Sequence, residues 1–138
     1  MADITVTAAN VQEVAGASTQ TVTYGATITQ GQSLYLDTSV DKWKLADCDS
    51  TAATAGSGGV AIALTSGADG QKGIIVTSGN VDLGATLTVG EIYVLSGNAG
   101  GIAPEGDLAS NDYVVVLGVA TAADNLKMQI INSGVQVP

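Results

Sequence analysis

The sequence predicts an all-β protein, a small barrel or sandwich built from two similar β units, and three observations indicate this fold. The sequence GATITQG at residues 25–31 returns as GATLTVG at residues 84–90, 59 positions later. Short apolar stretches alternate with turn residues every eight to twelve positions or so, without helical periodicity, as is typical of sandwiches and barrels. Phe is absent and small aliphatic residues supply nearly all of the 46% hydrophobic content, so we expect a thin core.

The repeat extends beyond this motif. Leu36 and Leu95 keep the offset of 59, and so does the sequence GVA at residues 59–61 and 118–120. After a shortening by four residues, Lys72 and Ser78-Gly79 align with Lys127 and Ser133-Gly134. We therefore predict a β domain over residues 24–138 made of two repeats, at about 25–79 and 84–134, joined by residues 80–83. Because a unit of that size holds only a marginal core, the halves should depend on each other.

The strands follow from alternation and from turn residues. Residues 4–7 alternate apolar and polar, the period of a half-buried strand. In the first repeat we predict a short Thr-rich strand between Gly25 and Gly31, and further strands at 33–36, 42–45, 59–65 and 73–77. Turns are predicted at 37–41 and 66–70, where Asp, Ser, Thr and Gly cluster. In the second repeat we predict strands at 91–95, 101–103, 113–120 and 126–131, and Pro104 marks a strand end or an edge. The continuous valines after Tyr113 predict a strand covered on both faces.

Residues 1–23 precede the repeat and have no sustained periodicity. We predict that they form an N-terminal arm, either mobile or donated as a strand to a neighbouring subunit.

Charge and composition narrow the function classes. The chain has 13 carboxylates, four lysines, no Arg and no His, for a net charge of −9. Nucleic-acid binding needs clustered cations that displace counterions from phosphates, so we expect no nucleic-acid partner and no binding to anionic membranes. Cys48 is the single cysteine, which suits folding in a reducing cytosol, and no secretion signal is recognisable.

The residues that enzymes use are scarce, and we predict that the protein is not an enzyme. Without His, the usual general base near neutral pH is missing. The nearest carboxylate pairs, Asp37 with Asp41 and Asp47 with Asp49, fall in predicted turns, where Asp commonly bonds its own backbone. A calcium loop starting at Asp47 would need Gly and Glu where Ala52 and Gly58 stand. We expect no catalytic residue, no metal site and no cofactor.

Trp43 is the only tryptophan and lies between Lys42 and Lys44, so both lysines point to the opposite face of the strand. A lone Trp in a chain without Phe is either the main core residue or an interface anchor, and we favour the core. The matched position in the second repeat falls near Gly101. As possible interface residues we single out Ile4, Val6, Val11 and Trp43.

Several segments together resemble the head decoration, or cement, proteins of tailed bacteriophages. They are ADITVT at residues 2–7, the pattern GATITxGQxLYLD from residue 25, WKLAD at 43–47 and GVAIAL at 59–64. The likeness continues through Gly90, residues 118–120 and Ser133-Gly134.

This resemblance implies a non-enzymatic virion structural protein, made in the host cytoplasm, that binds the outer capsid surface. Such a protein bridges subunits of the major capsid protein, stabilises the head and acts as a homo-dimer or homo-trimer. The acidic, Arg-free composition is compatible with a place away from packaged DNA. The alternative is a phage tail, fibre or host-attachment binding module.

Overall fold

A computed structural model of the chain, which describes residues 3–85 and 87–138, confirms the all-β prediction. The described residues form ten strands, two single-turn 3-10 helices and no α-helix. The strands are β1 (Gln12–Glu13), β2 (Ser18–Thr23), β3 (Ser33–Asp37), β4 (Lys42–Leu45), β5 (Val60–Ala63), β6 (Lys72–Asp82), β7 (Ile92–Leu95), β8 (Ile102–Pro104), β9 (Tyr113–Ala120) and β10 (Asn125–Gln136). The 3-10 helices are Ala8–Asn10 and Glu105–Asp107.

The strands form one antiparallel sheet that curls into a half-barrel. Its order is β4-β3-β5-β6-β10-β9-β7-β8, and β1 and β2 pair with β6 beside this path. Each half therefore has the same order, a hairpin followed by two further strands, and the halves meet where β6 pairs with β10.

The hairpins of the two halves match residue for residue. Leu36 lies opposite Trp43 in the first hairpin, and Leu95 lies opposite Ile102 in the second, 59 positions later in both strands. The structural counterpart of Trp43 is thus Ile102, next to the predicted Gly101. The halves share their strand order, while their origin by duplication stays a prediction.

The strands that follow the hairpins in the sheet, β5 and β9, differ in their pairing register. Ser33 lies opposite Ile62, whereas its counterpart Ile92 lies opposite Val119, two residues earlier than the repeat predicts. Because side chains alternate between faces with period two, this shift keeps inward residues inward.

The residues 80–83 that were predicted to join the repeats do not form a separate loop, because β6 runs through them as far as Asp82. Gly79 was expected to close the first repeat, but it lies inside β6 with φ of +90°. A Cβ there would collide with the backbone of Gly16 and Ala17, so the glycine permits a close approach of two chain segments.

The sheet separates two cores. The smaller core lies within the first half and contains Val22, Tyr24, Ile28, Leu34, Trp43, Ala61, Ala63 and Ile75. The larger core joins the opposite face of the first half, including Tyr35, Val60, Ile62 and Val76, to the inner face of the second half, including Tyr93, Leu95, Ile102, Val115, Leu117 and Leu126. The two halves therefore share most of their buried apolar surface.

Three predictions about strands need correction. The strand predicted between Gly25 and Gly31 does not form, since Ile28 makes only an isolated bridge to Gly67. Residues 4–7 keep their alternation but lie outside the named strands, while residues 18–23, assigned to the N-terminal arm, form β2 and pair with β6 of the same chain. β9 has the predicted bounds, but only one of its faces is covered, since Val115 and Leu117 are buried and Val119 is 38% exposed.

Candidate functional site

Residues 3–11, which we call the N-terminal strap, lie across the second half of the domain. The backbone N–H of Ile4 donates to the carbonyl of Ile102 in β8 at 2.9 Å, and the N–H of Thr7 donates to the carbonyl of Gly84 at 2.9 Å. The strap therefore connects the edge strand of the second half to the chain that follows β6.

The strap uses its apolar residues for packing. Ile4 and Val6 are half-buried against the larger core, and Val11 belongs to that core at 5% exposure. The intervening Thr5 and Thr7 are exposed. This alternation explains why the sequence pattern predicts a strand, although the strap makes only isolated backbone hydrogen bonds.

A polar contact fixes the start of the strap. The Asp3 carboxylate accepts a short hydrogen bond from the hydroxyl of Ser96 and a second one from Nδ2 of Asn98 at 3.1 Å. Ser96 is fully buried, and its Oγ accepts from the backbone N–H of Asn98 at 3.0 Å. Sequence reasoning missed this cluster because Asp3 is more than 90 residues away from Ser96 and Asn98.

Glycines leave room for the strap. A Cβ at Gly31 would lie 2.5 Å from Cγ1 of Val6 and 3.0 Å from Cγ2 of Val11, and a Cβ at Gly101 would collide with the Asp3 carboxylate. The motif glycine Gly31 therefore serves a close contact with the strap as well as a turn.

Two open grooves flank the strap. One, of about 340 Å³, is lined by strap residues Asp3, Ile4 and Val6 together with residues 29–32 and 99–102. The other, of about 600 Å³, is lined by Thr5, Thr7, Ala9, Asn10, Gln12, Asp82, Gly84, Ala85 and Asp124. Both offer hydroxyl, amide and backbone groups along an extended line.

The four predicted interface residues do not form one surface. Ile4, Val6 and Val11 lie on the strap, whereas Trp43 lies in the smaller core at 8% exposure. Only Ile4 and Val6 keep part of their surface open within this chain. For Trp43, the structure shows the core alternative.

The turn carboxylates bond their own turns. Asp37 accepts hydrogen bonds from the backbone N–H and the hydroxyl of Ser39. Its Oδ2 also forms an ion pair with Nζ of Lys44 at 2.8 Å. The Lys44 hydrogen bond, with that of Ser39, lowers the pKa of Asp37 to about 2. Asp47 accepts from the hydroxyl of Thr54 at 3.1 Å.

Cys48 is enclosed where the two halves meet. Its N–H donates to the carbonyl of Ser96 at 3.0 Å, and its carbonyl accepts from the N–H of Tyr113 at 2.7 Å. Burial raises the pKa of the Cys48 thiol to about 12, and the charges of Asp112 and Asp49 act in the same direction. The thiolate needed for nucleophilic chemistry is therefore scarce near neutral pH.

Within residues 3–85 and 87–138, no group of three or more His, Cys, Asp or Glu side chains is placed to hold a metal ion. No helix in this part of the chain is long and apolar enough to cross a membrane.

Comparison with known proteins adds no identity. No protein-family model matches the chain, and the search of curated proteins finds no significant match.

Proposed function

We propose that this protein is a non-enzymatic virion structural protein that binds the outside of a tailed-phage capsid and stabilises it by bridging major capsid protein subunits. The observation that carries the proposal is the resemblance of the repeated GAT motif and its neighbouring segments to head decoration proteins. The described residues of the two motifs lead into β3 and β7, the first strands of two units with the same order.

Bridging suits a small, stiff β domain. A bridging protein gains affinity because binding to one capsid subunit raises its effective concentration near the next. Two halves that share one core behave as one body, so contacts made by one half are transmitted to the other.

The strap and its flanking grooves are our candidate capsid contact. Thr5 and Thr7 are exposed and line the larger groove. Ile4 and Val6 are half-buried and line the smaller groove. A segment of a capsid subunit would find hydroxyl, amide and carboxylate side chains as hydrogen-bond partners in these grooves. Within the predicted arm of residues 1–23, the strap is therefore the part that we assign to capsid contact, because β2 belongs to the sheet.

The net charge of −9 supports the outer surface of a virion as the location and argues against contact with packaged DNA. In this proposal the protein acts as a homo-oligomer and its partner is the major capsid protein.

Cosedimentation with expanded capsids that lack the protein tests the proposal. We expect saturable binding at a copy number that matches symmetry sites of the capsid, together with raised thermal resistance of the heads. Absence of binding would overturn the proposal. Stoichiometric incorporation into purified tails, at a few to a few dozen copies per virion, would establish the alternative of a tail or attachment module.

A variant pair tests the strap as the contact. Thr5→Asp changes an exposed strap residue, and Thr19→Asp makes the same change on exposed β2. We expect Thr5→Asp to lower capsid occupancy at limiting protein and Thr19→Asp to leave it unchanged, with both variants folded by circular dichroism. Equal occupancy for the two variants would exclude the strap as the contact.

A further inference from the structure

The second half has an apolar outer face, formed by one side of β7, β9 and β10. Ile92, Val119 and Lys127 lie directly opposite one another across the three strands. Val94, Val116 and Ile131 form the next row. Because paired residues on neighbouring strands project to the same side, these six residues share a face, which we call the outer face.

The neighbours of Val116 show that this face points away from the core. Val115 and Leu117 are fully buried in the larger core, so Val116 between them points to the other side. Ile131 is 56% exposed, Val119 is 38% exposed, and Ile92 and Val116 are half-buried, whereas Val94 at the β7 margin of the face is buried at 1% exposure. None of these apolar residues belongs to either core.

The corresponding face of the first half is covered. Tyr35, Val60, Ile62 and Val76 of β3, β5 and β6 point away from the smaller core and are at most 9% exposed, and they pack against the inner face of the second half. Ile74, on the same side of β6, is the exception at 39% exposure. The pair Ser33–Ile62 corresponds to Ile92–Val119, so fully buried Ile62 and exposed Val119 occupy matching places.

The charges favour a second copy as the occupant of the outer face. β7, β9 and β10 contain no carboxylate, and their only charged residue is Lys127. The five carboxylates from residue 84 onward all lie outside these strands, at Glu91, Glu105, Asp107, Asp112 and Asp124. Two chains of net charge −9 repel each other, and on this face they can meet through strands that carry no carboxylate, with Glu91 and the 3-10 helix Glu105–Asp107 at the margin of β7.

The face also lacks the groups that other partners need. A basic partner would find no carboxylate on these strands, and nucleic acid or an anionic lipid surface would meet one lysine in an acidic chain. The partner that fits is itself an uncharged, apolar sheet surface, and the same face of another copy has that chemistry.

We propose that the outer face is a homodimer interface, in which it packs against the same face of a second copy across a two-fold axis. With the axis along β9, the central strand of the face, Val116 of one copy lies near Val116 of the other. Ile131 and Val119 are removed from water, as expected for the apolar centre of an isologous interface. This inference does not depend on capsid binding.

Sedimentation equilibrium of the full chain over a wide concentration range tests the proposal. We expect a reversible monomer–dimer equilibrium with a dimer of twice the 13.6 kDa chain mass. Ile131→Asp and Val119→Asp should each weaken dimerisation about tenfold or more, because they bury a charge at the centre of the interface. Val40→Asp is the matched control, since Val40 is 52% exposed in the β3–β4 turn, and it should leave dimerisation unchanged.

Disulfide trapping adds a readout of geometry. Cys48 is buried, so Val116→Cys introduces the one accessible thiol, and oxidation should produce a covalent dimer that Val40→Cys does not produce. Circular dichroism checks that each variant is folded. A wild-type chain that stays monomeric, a higher oligomer, or equal dimerisation of Ile131→Asp and Val40→Asp would overturn the proposal.

Discussion

The hairpins of the two halves receive their outer backbone hydrogen bonds from different parts of the chain. In the first half, the carbonyl of Trp43 accepts a hydrogen bond at 2.7 Å from the N–H of Gly25, a residue of the same repeat. In the second half, the matching carbonyl of Ile102 accepts from Ile4 of the strap. Gly84, the counterpart of Gly25, accepts from Thr7 of the strap. At this hairpin edge the first half therefore uses its own residues, whereas the second half uses the strap.

This difference has a physical origin in what each half must cover. The smaller core of the first half contains Tyr24 and Trp43 and takes Val22 from β2, which precedes the repeat and pairs with β6. The inner face of the second half packs on the opposite face of the first, and the strap, with half-buried Ile4 and Val6, covers its margin. Each unit therefore uses a different segment from before the repeat: the first half uses β2 and the second half uses the strap.

The largest expected effect comes from the matched positions Trp43 and Ile102. Trp43→Ala removes the largest side chain of the smaller core and should lower the free energy of unfolding by about 3–5 kcal/mol. Ile102→Val, the milder change at the counterpart, should cost about 1 kcal/mol. Urea unfolding followed by circular dichroism measures both. A loss below about 1 kcal/mol for Trp43→Ala would mean that the first half does not depend on this residue.

The strap should matter for the second half and for the junction between the halves. Asp3→Ala removes the acceptor of the buried Ser96 hydroxyl and of Asn98, and should destabilise the domain by about 1–3 kcal/mol. Because Cys48 donates its N–H to Ser96, loosening this region should speed the labelling of the Cys48 thiol by a thiol reagent. Native wild type should label slowly, since the thiol is buried and its pKa is about 12.

Asp69→Ala is the control for this prediction. It removes the same charge, but Asp69 is 66% exposed and pairs with Lys42 at 3.4 Å on the surface of the first half. An exposed pair contributes little, so both stability and the labelling rate should stay near the wild-type values. Equal labelling rates for Asp3→Ala and Asp69→Ala would show that the strap does not hold the junction closed.

Local patterns predicted the hairpins and the all-β class well. The turn residues 37–41 and the alternation at 42–45 give β3 and β4, and the apolar run at 113–120 coincides with β9. In each case the signal and the structure lie within a few neighbouring residues. The extension of β6 through Gly79 was missed because a glycine in a sequence looks the same at a turn and at a close backbone approach.

Contacts between residues far apart in the sequence could not be predicted from local patterns. The partners of the strap, Gly84 and Ile102, are separated from it by most of the chain, and nothing near residue 3 indicates a buried serine at residue 96. The valines of β9 were misjudged for a related reason: a continuous apolar run shows that a face is apolar but not whether this chain covers it. Val119 on the outer face is the residue where that prediction failed.

The smallest expected effect sharpens the comparison of the hairpins. Asp37 and Ser96 occupy matching places 59 residues apart, yet Asp37 pairs with Lys44 whereas Ser96 is buried beneath Asp3. The hydrogen bond from Lys44, together with those from Ser39, lowers the pKa of Asp37 from its ordinary 3.8 to about 2 in the folded state. A carboxyl whose pKa is lowered on folding stabilises the fold when ionised, so this contribution is present above about pH 4 and is lost as the pH falls towards 2.

Asp37→Asn isolates this contribution from the other carboxylates. The difference in unfolding free energy between wild type and Asp37→Asn should be small near neutral pH, should shrink between pH 4 and 2, and should also shrink at high salt, because the pair is partly exposed. Urea unfolding across this pH range measures it. A difference that is independent of pH would mean that turn geometry alone stabilises the first hairpin. The ion pair between Asp37 and Lys44 would then not distinguish the first hairpin from the second.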